Sequence, residues 1–266
     1  MKDLRIIIVS WNVREELERC LHSIPEGCKG LDYDVVVIDN ASTDGTADLL
    51  KRGTWRAILN DENRGFARAC NQGLTGLDAR YVLLLNPDTE CLTGSLATLV
   101  RAADARPEAG IFGPKLLHAD GTCQQSVRRF PDVWDQAGVM LKLHHLFRRA
   151  GIFRSYFADD ADPNLEQDAD QVMGACFLIR RELIEAIGGL DERYFIWFEE
   201  VDYCRTAEEH GWRVRYIPSA SVYHHGGLSF AKVFTAKKQR MFNDSLVTYF
   251  RKWHAGWKAG FLRALR

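Results

Sequence analysis

Three carboxylates, Glu199, Glu200 and Asp202, fall within four residues and directly follow the apolar run Phe195-Ile196-Trp197-Phe198. Acids at a helix start are favoured by the helix dipole, which is reason enough for such a cluster. Four large apolar neighbours argue in addition for burial, and burial lifts a carboxylate toward the range where it can take a proton from a hydroxyl. A second set is Asn86-Pro87-Asp88, which ends the apolar stretch Tyr81–Leu85. A buried strand that ends on a carboxylate needs a partner for the charge. A divalent ion is a natural one, because Mg2+ and Mn2+ prefer oxygen ligands and bridge carboxylates to diphosphates. Standing alone, Asn-Pro-Asp is ordinarily a turn. The third set is Tyr223-His224-His225. A histidine there can ligate a metal or donate to a phosphate, or serve structure alone.

Other polar residues sit where apolar runs stop. Ile6–Val9 leads into Ser10-Trp11-Asn12, and Val35–Ile38 into Asp39-Asn40-Ala41-Ser42-Thr43-Asp44-Gly45. Asp39 at a strand tip can accept hydrogen bonds from a base or ribose. Asx turns and helix caps use the same residue types. Asn63-Arg64-Gly65-Phe66, with Asn71 and Gly73 after it, could admit a phosphate at Gly65, or could simply begin a helix.

The elements that must hold these residues alternate. Apolar runs at 6–9, 35–39, 56–59 and 81–85 read as strands, and the segments 15–24, 47–52, 67–74 and 94–103 read as helices. That spacing predicts an α/β fold with a mostly parallel central sheet and helices on both faces. Ligands then bind at the carboxyl edge of the strands, where the polar residues lie. Further strands are expected at 111–114, 175–179, 214–217 and 221–224, with helices at 181–187 and 200–210. Residues 159–170 read as an acidic loop.

The chain has 266 residues, enough for one large α/β domain, and no apolar run approaches bilayer-spanning length. The N-terminal apolar run is too short for a signal peptide, so a cytoplasmic location is expected. Seven cysteines, widely spaced and without a C-x-x-C pair, suggest buried small hydrophobes and not a disulfide framework or zinc site. The net charge of −1 is uneven. Residues 231–266 carry nine Lys/Arg and one acid, a balance of +8, against −9 for the rest. The tail mixes these cations with Phe234, Phe242, Tyr249, Phe250, Trp253, Trp257 and Phe261. Such a segment suits an interfacial helix on anionic lipid, and equally a terminal helix that packs its aromatics on the body.

Taken in order, the motifs resemble family 2 glycosyltransferases, which have the Rossmann-like GT-A fold. The resemblance runs from Ile6–Asn12 through Val36–Gly45, Asn63–Ala67, Leu84–Asp88, Gly174–Arg181 and Gly189–Asp202 to His224. Within the family it is nearest the rhamnosyltransferase-like branch. It implies a catalytic domain over 1–230 and a basic aromatic helical extension over 231–266. It implies that Ser10, Trp11, Asn12, Asp39, Asn40, Asn63, Gly65, Asn71, Asn86 and Asp88 form the nucleotide-sugar site. Asp88 and His224 would bind Mg2+ or Mn2+, with Asn86 standing where the family has the first acid of its Asp-x-Asp motif. Glu200 matches the catalytic base, where the family usually has Asp, with Glu199 and Asp202 beside it as alternatives. The implied activity is inverting transfer of a sugar, rhamnose by the branch resemblance, from a nucleotide diphosphate to a glycan or lipid-linked acceptor in cell-surface polysaccharide synthesis. The tail would then bring the enzyme to the anionic inner face of the membrane.

Rival readings are weaker. A nicotinamide enzyme would show Gly-x-Gly-x-x-Gly after the first strand, where this chain has Ser-Trp-Asn-Val. A nucleic-acid partner is not expected, given the acidic body and the lack of a recognition motif. A non-catalytic sugar-nucleotide binder remains the alternative, and the retention of Asp88, Glu200 and His224 argues against it.

Overall fold

The computed structural model describes residues 1–147, 150–226 and 235–265; a boundary between 230 and 231 lies outside the described residues. The expected α/β architecture is present. Strands β1 (Lys2–Ser10), β2 (Tyr33–Asp39), β3 (Arg56–Leu59) and β4 (Ala79–Leu85) pair in the order β3-β2-β1-β4, all parallel. Helices α1 (Arg14–Gly27), α2 (Thr46–Arg52) and α3 (Phe66–Gly73) connect them.

Side-chain alternation along β1 explains the layering. Leu4, Ile6 and Ile8 face one core, with Leu17, Leu21 and Ile24 of α1; Ile7 and Val9 face the other, with Ala67 and Cys70 of α3. Six cysteines are buried, as expected, and only Cys123 is exposed.

Beyond β4 the sheet departs from simple alternation. The short β5 (Thr89–Cys91), α4 (Ser95–Asp104) and β6 (Ala109–Leu117) follow, and β6 leaves the chain at the carboxyl edge. There it makes β7 (Cys123–Gln124), β8 (Val127–Arg128), α5 (Val133–Met140), α6 (Leu143–Leu146), α7 (Gly151–Tyr156), β9 (Gln167–Asp168) and β10 (Gln171–Val172). The next strand, β11 (Cys176–Arg180), starts beside the end of β4, so it must run back, antiparallel to both β4 and β6. Helices α8 (Arg181–Ile187) and α9 (Glu199–Glu209) lead into β12 (Arg213–His224). The two strands expected at 214–217 and 221–224 are this one strand. Its register on β6 shifts between Ile217 and Ser221, around Pro218, which has no N–H for the ladder. The acidic stretch 159–170 is largely loop, tied down by pairs such as Asp160–Arg129 and Asp168–Arg215.

The C-terminal helices Thr235–Trp253 and Gly256–Ala264 form a third core with the body. Tyr249, Phe250, Leu246 and Leu262 are buried against Tyr194, Phe198, Val201 and Val133. Of the two readings of the tail's aromatics, packing is what the structure shows for Phe242, Tyr249, Phe250, Trp253 and Phe261. Trp257 is exposed, and Phe234 lies outside the described residues. No helix among the described residues is long and apolar enough to cross a membrane.

Candidate active site

The parallel strands β1, β2 and β4 place Ser10, Asp39 and Leu85 at one edge of the sheet, and a cavity of about 440 Å3 opens there. Trp11, Asn40, Asn63, Gly65, Asn86 and Asp88 line it, as do Glu199, Glu200 and His224. Nine of the expected site residues therefore converge on one space.

Asn40 organises the wall. Its Nδ2 donates to Asn63 Oδ1 (3.0 Å) and to the Gly65 carbonyl (3.2 Å), and its Oδ1 accepts from the Arg64 N–H (3.1 Å). Gly65 has φ +83°, and a Cβ there would stand 2.6 Å from the Phe195 carbonyl oxygen. That carbonyl accepts from the Phe66 N–H at 2.7 Å, so the segment carrying the carboxylates crosses directly over Gly65. Gly65→Ala combines a left-handed strain with a clash against backbone. It should cost about 2 kcal/mol of stability, read by denaturant unfolding.

Five expected residues stand outside the lining, Asp202 and four of the nucleotide-sugar set. Asn12 Oδ1 accepts from the Thr43 N–H (2.7 Å), tying the first strand-end loop to the second. Asp39 is buried, accepts from the Ser42 N–H (3.3 Å), and is pushed above the usual carboxylate range by that burial. Ser10 is buried beside it in the register, with no partner for its hydroxyl. Asn71 exchanges hydrogen bonds with the Leu190 backbone, 2.8 and 2.9 Å, and braces the loop after α8.

The turn before α9 aims the acids. Trp197 and Phe198 both have left-handed backbones, φ +63° and +69°, rare for large residues. The C-terminal helix holds them: Phe242 and Tyr249 pack on Phe198 at 5.4 and 5.6 Å between ring centres, and Ser245 Oγ donates to the Ile196 carbonyl at 2.7 Å. Strain of this kind persists where packing over-determines it. Glu199 and Glu200 then face the cavity, each with one carboxylate oxygen lacking a partner. Burial raises the pKa of both. Glu199 is pushed well up, by burial first and then by the neighbouring Glu200 charge. Glu200 is pushed up by burial, against α9 N–H groups and Arg128, which also lines the cavity.

Asp202 points elsewhere. Its carboxylate accepts from Trp253 Nε1 (2.6 Å), Lys252 Nζ (2.7 Å) and Tyr194 Oη (3.1 Å), so the structure places it in the joint between α9 and the C-terminal helix and not in the cavity. Its side chain is 3% exposed. Asp202→Ala leaves Lys252 and Trp253 without their acceptor and should destabilise the fold by about 3 kcal/mol, measured by chemical denaturation.

Pairing of β5 with the end of β12 sets His224 opposite Thr89 and so beside Asp88. His224 Nδ1 lies 2.8 Å from Gln124 Oε1, which only accepts, so Nδ1 carries the proton. Nε2 then turns toward Asp88 Oδ1 at 3.5 Å, a buried oxygen with no hydrogen bond. In the neutral imidazole that nitrogen offers a lone pair to the gap that the Asp88 oxygen also faces. No group of three or more His, Cys, Asp or Glu converges among the described residues.

Three residues of the site had no clear signal in the sequence. Lys238 and Phe242 reach the cavity from the C-terminal helix, and Gln124, on a two-residue strand, stands behind His224 without lining the cavity. Of Arg128 and Arg129, only Arg128 lines the cavity; Arg129 pairs with Asp160.

A Rossmann-like sheet with a carboxylate-lined cavity at its carboxyl edge defines an α/β protein that binds its ligand at the strand ends. Residues 5–188 match the sequence model of glycosyl transferase family 2, and the chain belongs to that family: it is a glycosyltransferase with the GT-A fold. It is 30% identical to the N-acetylglucosaminyl-diphospho-decaprenol L-rhamnosyltransferase of Mycobacterium tuberculosis, over 96% of this chain and 86% of that one. It is 26% identical to the rhamnosyltransferase WbbL of Escherichia coli, over 83% of this chain and 82% of that one. It is 27% identical to the low-salt glycan biosynthesis hexosyltransferase Agl10 of Haloferax volcanii, over 78% of this chain and 62% of that one.

Proposed function

We propose that the chain is an inverting glycosyltransferase that uses Glu200 as base, takes its sugar, rhamnose, from a nucleoside diphosphate, and acts on a lipid-linked acceptor in cell-surface glycan synthesis. The observation that carries this is the convergence of Asp88, His224 and Glu200 on one cavity. The relatives' names support rhamnose, and one of them supports the diphospho-lipid acceptor.

The Asp88–His224 gap fits Mg2+ or Mn2+. An orphaned buried carboxylate oxygen and an imidazole nitrogen in the ligating tautomer are two donors, and these ions take their remaining ligands from phosphates and water. Such an ion would stabilise charge on the departing diphosphate. Asn40, Asn63 and Trp11 would hold the nucleotide, with Ser10, Asn12, Asp39 and Asn71 shaping its loops from behind. Arg128 and Lys238 put positive charge on the cavity wall for phosphate.

Glu200 removes the acceptor hydroxyl proton as that oxygen attacks the anomeric carbon, and the bond to the diphosphate breaks in the same displacement. Attack opposite the leaving group inverts the centre. Of the two raised acids, Glu200 has the Arg128 charge beside it to favour its ionised form, which suits it to the role of base.

The test is a panel of sugar nucleotides with Mg2+ or Mn2+, following nucleoside diphosphate release by wild type and by Glu200→Gln. Metal-dependent release from one donor, lost in the variant, supports the reading and identifies the sugar. Donor binding without release, with acceptor extracts supplied, would favour a non-catalytic binder.

A further inference from the structure

Most of the tail's aromatics among the described residues are spent on packing, and Trp257 is the exposed one. Seven of the twelve large apolar side chains exposed among the described residues lie on α5, α6, α7 and the last helix or in the short links between α5, α6 and α7. Leu141, Leu143, Leu146, Phe147 and Ile152 stand on the hairpin, and Leu146 is 79% exposed. Trp134 on α5 and Trp257 on the last helix are exposed as well. Trp134 packs its ring edge on Phe261, one turn along the last helix from Trp257. Exposed apolar side chains scattered singly need no account, but a contiguous set marks an interaction site.

The charge around the patch selects the partner. Between Asp135 and Asp159 the sequence has four Lys/Arg and no acid, although the body as a whole is acidic. Lys142 and Arg154 are exposed beside the apolar side chains. Exposed aliphatic and tryptophan side chains on a segment with exposed cations and no acid match an anionic lipid surface, with the apolar groups entering the acyl boundary and the cations staying at the headgroups. The patch also touches the cavity wall. Arg128 lies over the Phe157 ring at 5.6 Å, and that ring is 6.2 Å from His144 of α6.

We propose that the α5–α7 hairpin, with Trp134 and Trp257, is the surface by which this enzyme lies on an anionic membrane, bringing the Arg128 side of the cavity to a lipid-linked acceptor. The inference rests on the reading of the acceptor as lipid-linked.

The experiment is co-sedimentation of the full chain with vesicles of phosphatidylcholine and with vesicles of equal parts phosphatidylcholine and phosphatidylglycerol. It needs neither donor nor acceptor, so it stands apart from the test of the transferase reading. The double variant Leu146→Glu with Phe147→Glu changes only exposed side chains. It should keep the wild-type melting temperature and donor cleavage, and partition onto the anionic vesicles about tenfold less. Lys142→Glu with Arg154→Glu should lose the preference for phosphatidylglycerol. Equal sedimentation of wild type and the Leu146/Phe147 variant would overturn the proposal. So would a concentration-dependent dimer, seen by analytical ultracentrifugation, that the variant abolishes while vesicle binding is unchanged; the occupant would then be a second copy of the chain.

Discussion

Glu200→Gln should lower kcat by about 10³-fold and leave donor affinity within a factor of about three, because a positioned base contributes about 10²–10⁴ and little to ground-state binding. Gln is nearly isosteric, keeps the fit under Gly174, where the Glu200 side chain lies 3.5 Å from the place a Cβ would take, and removes only the proton acceptor. Glu199→Gln is the contrasting variant. If Glu199 holds its proton, the amide replaces one neutral donor with another, and kcat should fall far less. The pH profile separates the roles. Burial raises the Glu200 pKa, so the acid limb of kcat/KM should lie above the ordinary carboxylate range, and it should shift down in Glu199→Gln if Glu199 carries charge there. Stability gives the opposite sign from the usual salt-bridged acid. A folded-state pKa above the unfolded one contributes stability that is fully present below the unfolded pKa and lost as pH rises through the folded pKa. Glu199→Gln should therefore be more stable than wild type at alkaline pH, with the difference vanishing below about pH 4. If both variants lost activity equally, the division of labour between the two acids would be wrong.

The second large effect is expected at the Asp88–His224 gap. Asp88→Asn removes the buried, unpartnered oxygen's charge and should cut nucleoside diphosphate release by about 10²–10³ at a fixed Mn2+ concentration. His224→Ala should act in the same direction. Chelator should mimic both in wild type, and Mn2+ should restore wild type alone. Gln124 offers a finer readout, since it fixes the His224 tautomer without reaching the gap. Gln124→Ala should raise the Mn2+ concentration needed for half-activity by about tenfold, with little change at saturating metal. Full activity of Asp88→Asn in chelator would remove the metal from the proposal and leave the cavity's arginine and lysine to meet the phosphate charge.

The C-terminal helices connect these chemical expectations to folding. They hold Trp197 and Phe198 in left-handed conformations through Phe242, Tyr249 and Ser245, and they carry Lys252 and Trp253 to Asp202. A truncation of this segment would thus be expected to blunt catalysis by releasing the turn that aims Glu200, quite apart from any lipid contact.

Local patterns in the sequence determined a good deal. The parallel half of the sheet was legible because β1, β2, β3 and β4 and the helices between them depend on periodicities of two and 3.6 residues within short windows. Asp88 and the cluster of Glu199, Glu200 and Asp202 stand out because each sits at an element's end, where a carboxylate is either a cap or a reagent. The tertiary structure decided the rest, because those features depend on partners distant in sequence. The direction of β11 follows from where the chain waits after β6, and β5 exists only because the end of β12 pairs with it. Glu199, Glu200 and Asp202 are equal in the sequence. Only the fold sends two into the cavity and gives the third to Lys252 and Trp253. The tail's mixture of cations and aromatics fits lipid or protein alike, and only the fold buries Tyr249 and Phe250 against the body while leaving Trp257 exposed. Burial and long-range pairing are properties of three-dimensional packing, and no window of neighbouring residues encodes them.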